Sequence, residues 1–284
     1  MIKTLKRHAS LALRRTAGPF IGPALLAALL LMCAACSGGD GNGYNVIVFM
    51  VDTLRADHLG YHGYERATSP NLDGFAGRGA AFVNHRSQAS RTGPSVASLL
   101  TGLHVRSHGV INPIDQWDGK GVLAEERTAL AEILADKGYD CRAVVANPNI
   151  YPQFGFGQGF GTFLPMPIDA DAVQINNLAA RMIDEDRGGK PFFLYLHYMD
   201  PHSPYEAPAP ADGLFIDRSY SGPITGAHRQ LDDILRGDLT LEEADRRHLI
   251  ALYDQEIAYW DREFGRMMSF LGSRGLLENT VVVF

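Results

Sequence analysis

The sequence predicts an α/β fold in which a mostly parallel sheet carries helices on both faces. Apolar runs of strand length alternate along the chain with longer helical patterns. The apolar runs are continuous, as expected for strands that are buried on both faces of a sheet. From Asn45 onward the sequence has no further linker, internal repeat or low-complexity segment. One domain spanning residues 44–284 is therefore the simplest interpretation.

The predicted elements follow one another in the order that such a sheet requires. Pro70 and Pro94 mark helix starts, where the missing N–H is tolerated. Gly102 and Gly138 mark helix ends. The predicted strands are 46–51, 80–85, 139–146, 192–197 and 279–284. The predicted helices are 69–78, 94–103, 125–137, 171–186 and 241–271.

The first 43 residues differ from the rest in composition. Five basic and no acidic residues in the first fifteen precede an apolar run and small residues, the order of an export signal. The apolar run is short for a membrane span, which needs about 20 residues. The residues before Cys36 resemble a bacterial lipobox, so we expect residues 1–36 to be a lipoprotein signal and Cys36 to be lipidated. A cleaved signal or an uncleaved anchor is the alternative, and residues 37–43 are expected to be a flexible tether.

The charge of the chain argues against a nucleic-acid partner, and its cysteine content argues against an internal disulfide. The formal net charge is −6 and the sequence has no basic stripe, so we expect no nucleic-acid partner. With Cys33 removed and Cys36 lipidated, Cys141 would stand alone, and no disulfide within the chain is expected. Cys141 falls in a predicted strand and is expected to be a buried structural thiol.

Polar residues follow two of the predicted strands at the edge where parallel sheets bind ligands. Asp52 comes directly after the first strand, where a carboxylate is a good ligand for a divalent metal; a turn or helix-capping role is the alternative. His197 and His202 leave a later strand together. Imidazole can protonate a leaving oxygen near neutral pH, although His197 could equally be a hydrogen-bonded core histidine.

Thr92 lies just before the helix predicted to start at Pro94. A helix N-terminus has unpaired N–H groups and a partial positive charge, which together favour a bound anion such as phosphate or sulfate. With a metal beside it, a hydroxyl at this point can lose its proton and attack. The alternative is a threonine that only caps the helix.

Six segments in chain order resemble successive blocks of the sulfatase family, in the alkaline phosphatase superfamily. The blocks are 51–57, 68–72, 94–102, 197–205, 253–261 and 279–284. The resemblance covers about residues 44–284 and implies an alkaline-phosphatase-like α/β sandwich. It also implies attack by an enzyme nucleophile on a sulfate or phosphate ester substrate, assisted by a divalent cation (Ca, Mg, Mn or Zn).

The same resemblance implies roles for individual residues. Asp52 matches a metal-binding aspartate of the family. Thr92 matches the nucleophile and is a second candidate metal ligand. His202 matches a histidine that contacts the ester or protonates the leaving group. Asn147 and His197 are candidate substrate-binding residues.

The sequence departs from the sulfatase pattern at the nucleophile. Sulfatases have Cys or Ser followed by x-Pro-x-Arg and oxidise that residue to formylglycine, whereas this chain has Thr92, Pro94 and Val96. Threonine is a secondary alcohol and lacks the methylene hydrogens that this maturation requires. Threonine is the nucleophile in phosphate-transferring relatives such as lipoteichoic acid synthases and phosphoethanolamine transferases. The usual second aspartate of the first block is also replaced, by Thr53.

The resemblance further implies that an Asp-His or Asp-Asn pair after a strand like 279–284 supplies the remaining metal ligands. We therefore expect a domain that is incomplete at its C-terminus, or a site that another chain completes. The predicted function is metal-dependent hydrolysis of sulfate or phosphate esters in a bacterial cell envelope, with the protein lipid-anchored and facing the periplasm or exterior. The alternatives are a phosphoryl-group transferase acting on envelope lipids or glycans, and an inactive truncated lipoprotein.

Overall fold

The computed structural model describes residues 43–111, 121–185 and 187–284. The predicted export signal, including Cys36, and the tether up to residue 42 lie outside the described residues. Within the described ranges, no helix combines the length and the apolar character needed to cross a membrane.

In the described ranges five parallel strands form one sheet with the order β3-β2-β4-β1-β5, which confirms the predicted parallel architecture. The central strand β4 lies between β1 and β2 and is buried along its whole length, which explains its unbroken apolar sequence. The strands are β1 Asn45–Val51, β2 Asp140–Val145, β3 Thr162–Pro165, β4 Phe192–Tyr198 and β5 Thr280–Val283.

Helices cover both faces of this sheet, as predicted. Alternate residues of β1 enter two separate apolar clusters: Ile47 packs in a cluster with Trp260, and Val48 in a cluster with Val96. The α-helices are α1 Pro70–Ala76, α2 Thr92–Thr101, α3 Val105–His108, α4 Leu130–Asp136, α5 Ala172–Asp184, α6 His228–Arg236 and α7 Glu243–Ser273. Short 3-10 helices span Ala56–His58, Gly60–His62, Pro148–Ile150, Pro152–Phe154 and Leu277–Asn279.

Two helix starts differ from the prediction. Helix α2 begins at Thr92 instead of 94, because Arg91 is extended (φ −135°, ψ 145°) and its carbonyl accepts the Ser95 N–H at 3.2 Å, which closes the first turn. Helix α4 begins at Leu130 instead of 125, because the Glu132 carboxylate reaches back to the Ala129 N–H at 2.7 Å. The later start of α4 shortens that helix, and the earlier start of α2 places Thr92 inside its first turn.

The predicted strand at 80–85 is wrong. This segment is an irregular loop in which the Phe82 and Val83 side chains are 82% and 62% exposed. Strand formation depends on packing against neighbours more than on the local sequence, and in the described sheet no strand pairs with this segment. The short strand β3 and helix α6 were not predicted.

The prediction for Cys141 is confirmed. Its side chain is buried and its thiol donates to the Ala131 carbonyl oxygen at 3.3 Å. Burial raises the pKa of the Cys141 thiol to about 11, so it stays protonated and unreactive at neutral pH.

Candidate active site

Asp52 lies where β1 ends and the chain turns away from the sheet. Its backbone N–H continues the strand ladder by donating to the Tyr198 carbonyl oxygen of β4 at 3.0 Å. The next residue, Thr53, has a φ of +57°, a left-handed conformation that is rare for a β-branched residue and costs about 1–3 kcal/mol. The turn after Asp52 is therefore held in place by its surroundings.

Two polar side chains converge on one oxygen of the Asp52 carboxylate. Thr92 Oγ1 donates to Asp52 Oδ2 at 2.8 Å, and Asn147 Nδ2 donates to the same oxygen at 2.8 Å. Asn147 Nδ2 is also 3.3 Å from Thr92 Oγ1. Asn147 is held by the 3-10 helix that follows it, since its Oδ1 accepts the Asn149 N–H at 2.9 Å. The structure thus brings together Asp52, Thr92 and Asn147, all three of which the sequence analysis selected.

The N-terminus of α2 adds backbone donors beside the Thr92 hydroxyl. Pro94 has no N–H, and the first-turn hydrogen bond comes from Ser95. Within the described part of the chain, neither Thr92 nor Gly93 donates its N–H to a protein acceptor. These two N–H groups and the positive end of the helix dipole can hold an anion against the Thr92 hydroxyl.

His197 lies on the other side of the Asp52 carboxylate. Its ring is fully buried, and its Nε2 is 3.8 Å from Asp52 Oδ2. Neither ring nitrogen has a hydrogen-bond partner in the described part of the protein, so His197 is not the hydrogen-bonded core histidine considered as an alternative. Burial lowers the pKa of His197 to about 4, against the opposing effect of Asp52. The imidazole is therefore neutral at neutral pH and keeps a lone pair.

His202 lies apart from this group. No hydrogen bond or ion pair joins it to the four residues above among the described contacts. Because a carbonyl oxygen only accepts, His202 Nδ1 donates to the Ser203 carbonyl oxygen at 2.9 Å. The ring stacks on His228 of α6 at 6.5 Å between centroids. His202 acts on His197 through charge, as one of the groups that lower its pKa.

One residue that contacts this site was not predicted from the sequence. Tyr253 of α7 hydrogen-bonds on both sides of the turn that follows Asp52, to the Thr53 carbonyl oxygen and the Arg55 N–H. Tyr253 falls in one of the six blocks, but its role depends on the positive φ of Thr53, for which the sequence carries no signal.

The donors around Asp52 fit a divalent cation in type but fall short in number. The Asp52 carboxylate, the Thr92 hydroxyl oxygen and the unpartnered His197 Nε2 are common metal-ligand types and lie close together. In the described ranges no group of three or more His, Cys, Asp or Glu side chains is placed to hold a metal ion. Divalent cations take four to six or more ligands, so substrate oxygens, water or other groups would have to complete the coordination.

Comparison with known proteins settles the family. A family model described as Sulfatase matches residues 44–284, the whole of the described fold. The chain belongs to the sulfatase family. Superfamily members are generally metal-dependent, which agrees with the donor types around Asp52.

Two curated relatives show how far the likeness of this sulfatase-family chain extends. It is 27% identical to the multifunctional alkaline phosphatase superfamily protein PehA of Trinickia caryophylli, over 84% of this chain and 62% of the relative. It is 28% identical to arylsulfatase A of Homo sapiens, over 90% of this chain and 54% of the relative. The chain therefore spans between about half and three-fifths of the length of these relatives.

A solved structure has the same fold. The phosphonate monoester hydrolase of Agrobacterium radiobacter superposes with a TM-score of 0.64 at 20% identity, over 84% of this chain and 61% of that chain. This likeness confirms the alkaline-phosphatase-superfamily architecture expected from the sequence blocks.

Proposed function

We propose that this sulfatase-family protein is a metal-dependent ester hydrolase in which Thr92 is the nucleophile and phosphate esters are preferred over sulfate esters. The observation that carries the proposal is the position of the Thr92 hydroxyl. It lies at the mouth of α2, beside two unused N–H groups, and donates to Asp52 Oδ2 at 2.8 Å. Donors that could bind an anion, a nucleophile and a proton acceptor therefore lie together.

The residues of this chain can carry a balanced two-step reaction. As Thr92 Oγ1 attacks the phosphorus, Asp52 takes the hydroxyl proton, the bond to the leaving oxygen breaks, and protonated His202 gives that oxygen a proton. Water then attacks the phosphorus and breaks its bond to Thr92 Oγ1. Asp52 returns its proton to Thr92, and His202 takes the proton that water loses.

Binding and charge stabilisation fall to the remaining groups. The N–H groups of Thr92 and Gly93 would bind the equatorial oxygens of the transferred group. Asn147 would hold the Asp52 carboxylate and the Thr92 hydroxyl in position relative to each other. A divalent cation bound by Asp52 and Thr92 would lower the pKa of the hydroxyl and offset charge that develops in the transition state. His197 would contact the substrate or the cation through its free nitrogen.

The preference for phosphate follows from the chemistry of threonine. Thr92 cannot become formylglycine, so a covalent intermediate would be a simple ester of its side chain. A phosphoester can be hydrolysed at phosphorus, whereas an alkyl sulfate breaks slowly at its S–O bond. The proteins that this chain resembles include both an arylsulfatase and a phosphonate monoester hydrolase, so the preference for phosphate is argued from Thr92 and not from their names.

The same Thr92 favours a second candidate, phosphoryl-group transfer to an envelope lipid or glycan. Transfer would share the first step and replace water by an acceptor hydroxyl in the second. Turnover in the presence of glycerol or ethanolamine separates the two: a transferase makes the acceptor ester, and a hydrolase makes free phosphate.

The proposed location is the bacterial cell envelope, with the protein anchored through a lipid on Cys36. The support is the order of basic residues, apolar run and small residues before Cys36. The proposed tether at 37–43 would let the folded domain reach substrates at the membrane surface.

Matched aryl phosphate and aryl sulfate substrates test the proposed chemistry. We expect faster phosphate turnover by the wild type and a loss of about a thousandfold or more in Thr92→Ala. The control is Thr101→Ala, at the far end of the same helix, where the hydroxyl donates to the Ala97 carbonyl and accepts the Leu103 N–H; this variant should leave turnover unchanged. Faster sulfate turnover, or an unimpaired Thr92→Ala variant, would show that Thr92 is only the first residue of a helix.

A further inference from the structure

Two consecutive residues of α7 hold the segment that follows β1. The Tyr253 hydroxyl donates to the Thr53 carbonyl oxygen at 2.8 Å and accepts the Arg55 N–H at 2.9 Å. It therefore bonds to the backbone on both sides of Leu54. These contacts join residues about 200 apart in sequence and place the long helix directly behind the turn after Asp52.

The framework around Tyr253 is itself held firmly. The neighbouring Asp254 is fully buried and accepts hydrogen bonds from His58 at 2.6 Å, Tyr64 at 2.7 Å and Arg66 at 2.7 Å. The His58 ring packs edge-on against the Tyr253 ring, with 5.0 Å between centroids. The position of the Tyr253 hydroxyl is therefore fixed by contacts that do not involve that hydroxyl.

The backbone that Tyr253 contacts is in an unfavourable conformation. In the described part of the chain Thr53 is the one non-glycine residue with positive φ. Its side chain is exposed and makes no hydrogen bond within the described ranges, so the side chain does not explain this conformation. A left-handed threonine persists only where the surroundings impose it, and Tyr253 bonds the Thr53 carbonyl directly.

We propose that Tyr253 is a positioning residue whose hydroxyl holds Thr53 in the left-handed conformation and thereby directs the Asp52 carboxylate toward Thr92 and Asn147. Asp52 is fixed on its N-terminal side by its N–H bond to Tyr198, so its orientation depends on the peptide that follows. Without the hydroxyl, Thr53 relaxes to negative φ and the peptide after Asp52 rotates. The effect on catalysis rests on the proposed function, whereas the effect on the turn does not.

The first test removes one hydroxyl and measures the backbone. Tyr253→Phe keeps the ring, and Tyr259→Phe is the matched control, because Tyr259 is buried in the same helix and donates to Asp171 at 3.1 Å, outside this turn. Hydrogen exchange at the Arg55 amide should accelerate about fivefold to tenfold in Tyr253→Phe, as expected for one lost hydrogen bond, and stay unchanged in Tyr259→Phe. Unchanged exchange at Arg55 in Tyr253→Phe would overturn the proposal.

The second test is a rescue that a merely structural tyrosine would not give. Glycine adopts the left-handed conformation without the steric penalty, so Thr53→Gly should restore most of the lost kcat in a Tyr253→Phe background. We expect Tyr253→Phe alone to lower kcat by about tenfold with little change in KM, since misplaced catalytic groups slow the chemical step. Equal loss with and without Thr53→Gly would overturn the positioning role.

These outcomes separate the inference from the proposed function. If the wild type turns over no phosphate or sulfate ester, the proposed function fails, and the Arg55 exchange data still decide whether Tyr253 holds the turn. If the wild type is active and the exchange rates of Tyr253→Phe and wild type agree, the function stands and the positioning role fails.

Discussion

Thr92 Oγ1 lies 2.8 Å from Asp52 Oδ2, and this hydrogen bond joins the start of α2 to the end of β1. The contact orients the hydroxyl away from the helix backbone and provides an acceptor for its proton. Asn147, which follows β2, donates to the same Asp52 oxygen. Because β1 and β2 flank β4 in a parallel sheet, their carboxyl ends deliver these side chains to one edge.

Replacing Asn147 by aspartate should make the site more dependent on metal. Asn147 Nδ2 is 2.8 Å from Asp52 Oδ2, so Asn147→Asp places two carboxylates in contact. Their repulsion should lower the melting temperature in chelator and strengthen binding of a divalent cation, which neutralises both. Thermal melts with EDTA and with Mg²⁺, Ca²⁺, Mn²⁺ or Zn²⁺ measure both effects. The control is Asn84→Asp, the same substitution at an exposed position. A variant that no cation stabilises more than wild type would argue against a metal at Asp52.

Glu256 predicts how stability changes with pH. Burial, with a further contribution from Asp200, raises the pKa of the Glu256 carboxyl from 4.5 to about 8. The folded protein therefore keeps a proton that the unfolded chain loses between these values, and stability should fall as pH rises from about 5 to 8. Burial likewise raises the pKa of Asp200 to about 7, which adds to the same trend.

Glu256→Gln should reduce this pH dependence. The amide has nearly the same size and shape as the carboxyl group but carries no ionisable proton. Urea unfolding at pH 5 and pH 8 should show a smaller loss of stability in Glu256→Gln than in wild type. Glu243→Gln, on the exposed start of the same helix, should behave like wild type. Parallel pH profiles for Glu256→Gln and wild type would refute this explanation.

Much of the fold follows from the sequence because the physical signals are local. Strands β1, β2, β4 and β5 appear in the sequence as apolar runs. A strand whose residues are apolar on both faces indicates a sheet that is covered on both faces. The segment 80–85 has similar composition, yet it forms no strand because nothing in the described sheet pairs with it. Strand β3 has four residues and ends in Pro165, which is too short for a clear pattern.

The site residues that lie at strand ends were predicted from the sequence. The positions of those that depend on loop shape were not. Asp52 and His197 lie on neighbouring parallel strands, and Asn147 and Thr92 join them at one edge. The placement of His202 depends on the loop after β4, whose shape the sequence does not reveal. The left-handed Thr53 and its contact with Tyr253 arise from packing between distant segments.

Lipidation of Cys36 stays a prediction that labelling can test. A cell grown with a clickable fatty-acid analogue should tag the wild-type protein, and Cys36→Ala should abolish the tag. Cys141→Ala is the control, since this thiol is buried inside the folded domain. A wild-type protein without a tag, at normal expression, would exclude the lipid anchor.

The most direct test of the account is to find the covalent intermediate on Thr92. Incubation with an activated aryl phosphate, followed by an acid quench and peptide mapping by mass spectrometry, should show a phosphate ester on the Thr92 side chain. We expect that modification in the wild type and its absence in Thr92→Ala. Steady turnover of the substrate with no modified Thr92, or with a phosphate on another residue, would contradict it.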